Sequence, residues 1–317
     1  MLDDEFEPPE PIEGIFVDVA RAELRPPSWI IQDLLPPGLT FLAGPPKSRK
    51  STISAACAAL VAEYQCTALP MHLSTVRQFG PVLWLSAEAL AGEIRHMIED
   101  GLGVGKLEPR EAILVAECPW DFRLDDPGAL EKLMYWLKKR DPRLLIIDPL
   151  RDFHGGEERD SGVMNRLLRP LRTWAVENDS AVMVVHHTKK VEQDKDTTYS
   201  ALDMRGTTAL FGIADGVLML TPRGKEAEGR IFVQATFKRA AGWEKEITLA
   251  AYGASDAVEH LADIDVRIGT LMASGVTDLA DIARQLNVGM SEVMASLARV
   301  SVVKKGSTSK WVTKQKS

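Results

Sequence analysis

Between Leu39 and Val185 the chain alternates short apolar runs with longer segments of helical period. The runs are Leu39–Ala43, Val82–Ser86, Ala112–Ala116, Leu144–Ile147 and Ala181–Val185. The segments after the first four, Lys50–Tyr64, Ala87–Gly101, Gly128–Lys139 and Ser161–Asn178, place apolar residues three and four apart. Continuous apolar runs of strand length between amphipathic helices predict a mostly parallel sheet covered on both faces. Three further segments follow with no helix expected between them: Gly216–Leu220, Arg230–Phe237 and Glu246–Ala251. Their alternating pattern predicts antiparallel strands that extend the sheet at one side.

Both ends of the chain break this rhythm. The stretch up to about Pro37 is acidic and rich in proline, and reads as an extended arm with a short helix near Ile12–Arg25, outside the core. After about Asp256 come three short helical patterns, Asp265–Ala273, Asp278–Leu286 and Ser291–Val300, with N-caps expected at Thr277 and Met290-Ser291. Two short apolar runs, Ser301–Val303 and Trp311–Thr313, flank Lys304-Lys305-Gly306-Ser307. Helix, helix, turn, helix and hairpin together predict a winged helix-turn-helix. The expected organisation is an arm over 1–30, an α/β core over 31–256 and a small C-terminal domain over 257–317.

Composition narrows the class of protein. Of 317 residues, 45% are apolar and 26% charged, the balance of a globular chain, which excludes disorder throughout and rod-like architectures. The longest uncharged apolar-leaning helical stretch, Ile53–Ala62, falls short of the roughly 18–20 residues of a membrane span. The opening Met1-Leu2-Asp3-Asp4-Glu5 lacks the basic and apolar regions of a secretory signal, so a cytoplasmic setting with no membrane partner is expected. Cys57, Cys66 and Cys118 have no metal-ligand spacing and read as small buried residues. The net charge of −7 argues against an all-over basic coat. Charge is uneven, however. Residues 1–14 carry six acids and no base, and residues 303–317 carry five lysines and no acid.

The richest chemistry sits between the first expected strand and helix: Gly44-Pro45-Pro46-Lys47-Ser48-Arg49-Lys50-Ser51-Thr52. A phosphate-binding loop needs successive backbone N–H groups at a helix N-terminus, a lysine for the β- and γ-phosphates and a hydroxyl for Mg²⁺. Lys50 and Ser51 supply the last two. Arg49 stands where such loops carry glycine, at a cost of about 1–2 kcal/mol if it must turn left-handed. The apolar run Leu144–Ile147 ends in Asp148, placed to hold Mg²⁺. Val82–Ser86 runs into Ala87-Glu88, whose carboxylate suits activation of an attacking water. Ala181–Val185 runs into His186-His187, of which one at most faces the phosphates, because neighbouring strand residues point to opposite sides.

With these residues in hand, the chain from about Pro26 to Tyr252 resembles the RecA-like ATPases of the RepA-type hexameric replicative helicase group. The phrases that carry the resemblance are LTFLAGPPKSRKST (39–52), VLWLSAE (82–88), IIDPLRDFHG (146–155), HHTKK (186–190) and RGTTALFGIAD (205–215). It implies a ring-forming, Mg²⁺-dependent ATPase with ATP at subunit interfaces. Lys50 and Ser51 would bind phosphate and Mg²⁺, Asp148 would be the Walker B acid and Glu88 the catalytic carboxylate. His187 (or His186) would sense the γ-phosphate, and Arg205 would act in trans, with Arg95 a lesser second arginine.

Nucleic-acid contacts are expected on two loops at the catalytic edge, Arg151–Gly162 and Thr188–Met204. The second carries Lys189, Lys190, Lys195 and Tyr199, which suit phosphate contact and base stacking on single-stranded DNA. Both also carry acids, among them Glu157, Glu158, Asp160, Glu192, Asp194 and Asp196, as a solvated lid would. In the C-terminal unit, Lys304 and Lys305 suit contact with DNA phosphates, while the weakly basic face of Ser291–Val300 equally suits docking of a replication protein. Two other functions fit the same residues: a filament-forming recombination or repair ATPase, and a nucleotide-binding replication regulator with little turnover, for which Arg49 is the marker.

Overall fold

The computed structural model describes residues 28–66, 68–70, 73–117, 122–158, 160–188, 198–204, 208–224, 229–249, 268, 271, 278–286, 301–304 and 311–314. The chain divides into two compact units, Met1–Gly253 and Ala254–Ser317.

The first unit is built on one eight-stranded sheet. Its strands are β1 (Gly38–Gly44), β2 (Val82–Ser86), β3 (Ile113–Glu117), β4 (Leu144–Asp148), β5 (Ala181–His187), β6 (Gly216–Arg223), β7 (Arg230–Phe237) and β8 (Trp243–Thr248). The spatial order is β3-β2-β4-β5-β1-β6-β7-β8. Helices α1 (Lys50–Val61), α2 (Ala91–His96, continuing as a wider turn over Met97–Gly101), α3 (Pro127–Arg140) and α4 (Ser161–Glu177) follow β1 to β4. Strands β1 to β6 are mutually parallel. β1, β2, β4 and β5 are buried almost throughout, as their unbroken apolar runs require.

At the far side the expected antiparallel strands are present, β6 pairing with β7 and β7 with β8. Not foreseen is that β6 also lies parallel to β1, with Thr40 opposite Gly216. The reason is an unforeseen helix, α5 (Thr208–Ile213), which carries the chain back before β6. Among the described strands of this sheet, β7 alone runs against the rest, since β8 turns back antiparallel to it. β7 shows the alternating burial of a strand with one covered face.

One expectation is corrected in the N-terminal stretch. Trp29, Ile30, Ile31, Leu34 and Leu35 belong to the core and not to an extended arm. Ile30 N–H donates to the Leu35 carbonyl at 2.8 Å, closing a tight turn. Trp29 stands edge-on to Phe237 of β7 with ring centroids 5.0 Å apart, and Trp243 Nε1 of β8 donates to the Asp33 carbonyl. Apolar side chains in this proline-flanked stretch gain more by covering the sheet than by facing water. The arm expected before Trp29 falls outside the described residues.

The sheet separates two apolar layers. On one side the small residues of α1 pack with Trp84, Ile94, Ile146 and Met183. On the other, α3 and α4 pack Leu133, Leu137, Leu167, Leu168 and Leu171 against Phe41, Leu145, Ile147 and Val184. Helix starts are set locally. The Asp126 carboxylate accepts from Gly128 N–H, with Pro127 at the first helical position, and Asp160 accepts from Gly162 and Val163 N–H. α2 begins four residues later than its pattern suggests, because the Glu93 carboxylate accepts from Leu90 N–H and anchors the first turn there.

In the second unit the described residues form α6 (Leu279–Leu286) and an antiparallel pair, β9 (Ser301–Lys304) with β10 (Trp311–Lys314). Asp278 accepts from Asp281 N–H and caps α6, one residue after the Thr277 expected to do so. The expected helices over 265–273 (apart from 268 and 271) and 291–300 lie outside the described residues. Among the described residues, no helix is long and apolar enough to cross a membrane. Cys57 and Cys66 are buried free thiols, as expected of them; Cys118 lies outside the described residues.

Candidate nucleotide site

Four strand ends meet at the C-terminal edge of the parallel sheet. Register puts Gly44 of β1 beside His187 of β5, and Ser86 of β2 beside Asp148 of β4. Ala87 N–H then donates to the Asp148 carbonyl at 3.0 Å, which brings Glu88 alongside β4.

The loop from β1 to α1 is tight. Gly44 packs so closely that a Cβ would stand 2.5 Å from Ser48 Oγ and 2.9 Å from the Leu220 carbonyl of β6. Pro45 and Ser48 are buried, whereas Pro46 and Lys47 face solvent. Lys47 and Arg49 both take the left-handed conformation, at φ 62° and 63°. The turn therefore imposes on Arg49 the backbone that glycine would adopt without strain. α1 begins directly afterwards with Lys50, and Ser51 and Thr52 follow half-buried in its first turn. Lys50 is buried, and its Nζ donates to the carbonyls of Gly44 at 3.0 Å and Pro45 at 2.8 Å.

The electrostatics show how close these groups are. Burial lowers the Lys50 ammonium to about 8, against the opposing pull of Asp148 and Glu88. Burial raises the Asp148 carboxyl to about 7; the charges of Glu88 and Asp152 add to this and Lys50 opposes it. His187 is lowered by burial and by Lys50, against Glu88, Asp152 and Glu158. Lys50, Glu88, Asp148 and His187 thus act on one another within a single pocket edge. Asp152 and Glu158, which the sequence patterns did not single out as site residues, belong to the same field.

A buried carboxylate whose ionisation is opposed by a second carboxylate is a position that a divalent cation relieves. Among the described residues, no three His, Cys, Asp or Glu side chains are grouped to hold a metal ion by themselves. Ser51 and Asp148 fit the alternative, a Mg²⁺ held by few protein oxygens with phosphate and water completing its shell.

Other expected site residues fall elsewhere. His186 is buried beside Phe41, on the opposite face from its neighbour. Arg95 is exposed on α2 and pairs with Glu99 at 2.8 Å. Tyr199 is 3% exposed in the α3–α4 layer, so its expected role as a base-stacking surface is corrected: burial of its ring in the core outweighs exposure on the loop. Glu158 is likewise buried and is no part of a solvated lid. Lys189, Lys190, Lys195, Arg205 and Lys305 lie outside the described residues. Lys304 ends β9, opposite Trp311.

Comparison with known proteins agrees with this geometry. The model of the AAA domain family matches residues 6–193, more than half of the chain, and the chain belongs to that family. With the sheet and loop described above, this defines the class: a P-loop ATPase of the AAA domain family. Among solved structures, one ATPase domain is similar at 14% identity, with a TM-score of 0.48 over 66% of this chain and 80% of that one. No curated protein matches.

Proposed function

We propose that this chain hydrolyses ATP with Mg²⁺ and uses the energy to move along single-stranded DNA, as a ring-forming replicative helicase of the RepA type in plasmid or phage replication. The observation that carries the reading is the convergence of Lys50, Glu88, Asp148 and His187 at the end of the parallel strands. The phosphate loop would hold the nucleotide through its backbone N–H groups, and Lys50 would balance charge on the γ-phosphoryl group. Mg²⁺, once bound at Ser51 and Asp148, would neutralise phosphate charge. Glu88, exposed beside Asp148, would accept a proton from the attacking water. His187 would face the γ-phosphate, and Arg205 of a neighbouring copy would complete the site. Lys189, Lys190 and Lys195 would contact DNA phosphates in the ring's pore, while the C-terminal unit, with Lys304 and Lys305, would bind DNA or a replication partner as a winged helix.

The test is Mg²⁺-ATP hydrolysis by the full chain with and without single-stranded DNA, beside Glu88→Gln. The expected result is turnover that rises several-fold with DNA, and a loss of about 100-fold or more in the variant with ATP binding retained. Parental turnover in Glu88→Gln would remove Glu88 from its role. A second reading, a nucleotide-binding regulator with little turnover, is favoured by the left-handed Arg49 in the loop. Tight ATP binding without hydrolysis would support it.

A further inference from the structure

His154, Glu158 and His186 form a buried titratable cluster that the proposed chemistry does not use. The side chains are 0%, 8% and 1% exposed, respectively. His154 and Glu158 lie on the segment between β4 and α4, and His186 lies on β5. His154 Nδ1 is 3.0 Å from the Gly156 carbonyl, an acceptor, so this nitrogen carries the proton and donates it. That leaves Nε2 turned toward Glu158 Oε1 at 3.8 Å, and the same oxygen is 4.0 Å from His186 Nδ1. Among the described residues, neither His154 Nε2 nor Glu158 Oε1 has a hydrogen-bond partner.

Buried polar atoms without partners are rare and costly, and a carboxylate is the costliest of them. An acid kept here in place of an apolar residue needs a reason beyond packing. Its position supplies one. Glu158 links the segment after β4 to the strand residue immediately before His187. It is also within electrostatic range of His187 itself. Burial would raise the carboxyl, but His154, His186 and Arg151 outweigh it and hold the group ionised. The titratable and charged groups around it are therefore His154 and Arg151 on its own segment and His186 and His187 on β5, while Asp152, Lys50 and Glu88 act on His187.

We propose that Glu158 is a positioning residue: its carboxylate attracts the imidazolium forms of His154 and His186, whose nitrogens lie 3.8 and 4.0 Å from one of its oxygens, so that the segment after β4 and the end of β5 set the place of His187 together. The proposal rests on the reading of His187 as a residue that faces the γ-phosphate.

The test uses the full chain with Glu158→Gln, His154→Gln and the double variant. Glu158→Gln keeps the side chain's size and is expected to melt within a few degrees of the parent. It should lower kcat about tenfold, leave KM within twofold, and alter the pH profile of kcat between pH 6 and 8. His154→Gln touches Glu158 but not His187, and should displace the His187 resonance in a histidine-labelled NMR spectrum. Coupling predicts that the double variant is no worse than Glu158→Gln. An unchanged kcat and pH profile, or additive losses in the double variant, would overturn the proposal. If the parent does not hydrolyse ATP, the functional reading fails separately and the NMR arm decides: a displaced His187 signal supports the positioning role, and an unmoved one rejects it. If Glu158→Gln does not fold, His154→Gln alone is read in the same way.

Discussion

Arg49 shows most directly how one residue is at odds with its backbone. Its φ of 63° is dictated by the loop that brings Lys50 to the start of α1, and a β-carbon there costs about 1 kcal/mol or more. Arg49→Gly is therefore expected to raise unfolding stability by about 1 kcal/mol in urea titration. A large gain in ATP turnover in the same variant would show that the parental loop impairs hydrolysis. Asp148 carries a different cost. Its carboxyl sits at about 7 in the fold, well above its ordinary range, so stability present at acidic pH is lost as the pH rises from about 4 to 7. Asp148→Asn imitates the protonated acid. Without nucleotide or Mg²⁺ it is expected to melt above the parent at pH 8, because the parental carboxylate is ionised there at the expense of its burial. The gap should close below about pH 3, where the parental Asp148 is neutral both in the fold and in the unfolded chain. A variant that melts below the parent at pH 8 would show that the carboxylate is not held against its charge.

At the scale of elements, β1 is the hinge of the site, flanked by β5 on one side and β6 on the other. Its entry is secured by Asp215, which accepts from Leu39 N–H at 3.0 Å and from Arg172 Nε and Nη2 at 2.8 and 2.7 Å. This part-buried pair ties α4 and the start of β6 to the root of the strand that carries the phosphate loop. Gly38, at φ 106°, leaves room for the carboxylate, since a Cβ there would lie 2.2 Å from Asp215 Oδ2. Gly38→Ala is expected to cost about 3 kcal/mol in chemical denaturation and to weaken nucleotide binding through β1. An unchanged midpoint would mean that the pair can shift aside freely.

At the scale of the whole molecule, the proposed chemistry is incomplete within one chain. Lys50, Glu88, Asp148 and His187 come from one first unit, whereas the arginine assigned to the γ-phosphate, Arg205, is proposed to act on a neighbouring copy. Activity per chain is therefore expected to fall on dilution, total activity dropping more steeply than in proportion to concentration. A mixture of Glu88→Gln and Arg205→Ala chains should recover turnover that neither variant shows alone, because a mixed interface contains one intact site. Activity per chain that is constant over a hundredfold dilution would place the whole site within a single copy.

The parallel strands and the helices between them were legible in the sequence because both depend on local pattern: unbroken apolar runs for strands covered on two faces, and three- and four-residue spacing for the helices. The phosphate loop, Glu88 and Asp148 were legible because each stands at a fixed offset from a strand end. The parallel pairing of β6 with β1 was not, since it depends on α5, a six-residue helix too short to leave a periodic signal. Nor were the burial of Trp29–Leu35 and Tyr199, or the meeting of Glu158 with His154 and His186. Those depend on which surfaces come to face each other once the strands take the order β3-β2-β4-β5-β1-β6-β7-β8, and spacing along the chain carries no record of that order. The sequence by itself determined the elements and the chemistry at their ends; the tertiary structure alone decided which charges share a low-dielectric edge, because that depends on distance through space.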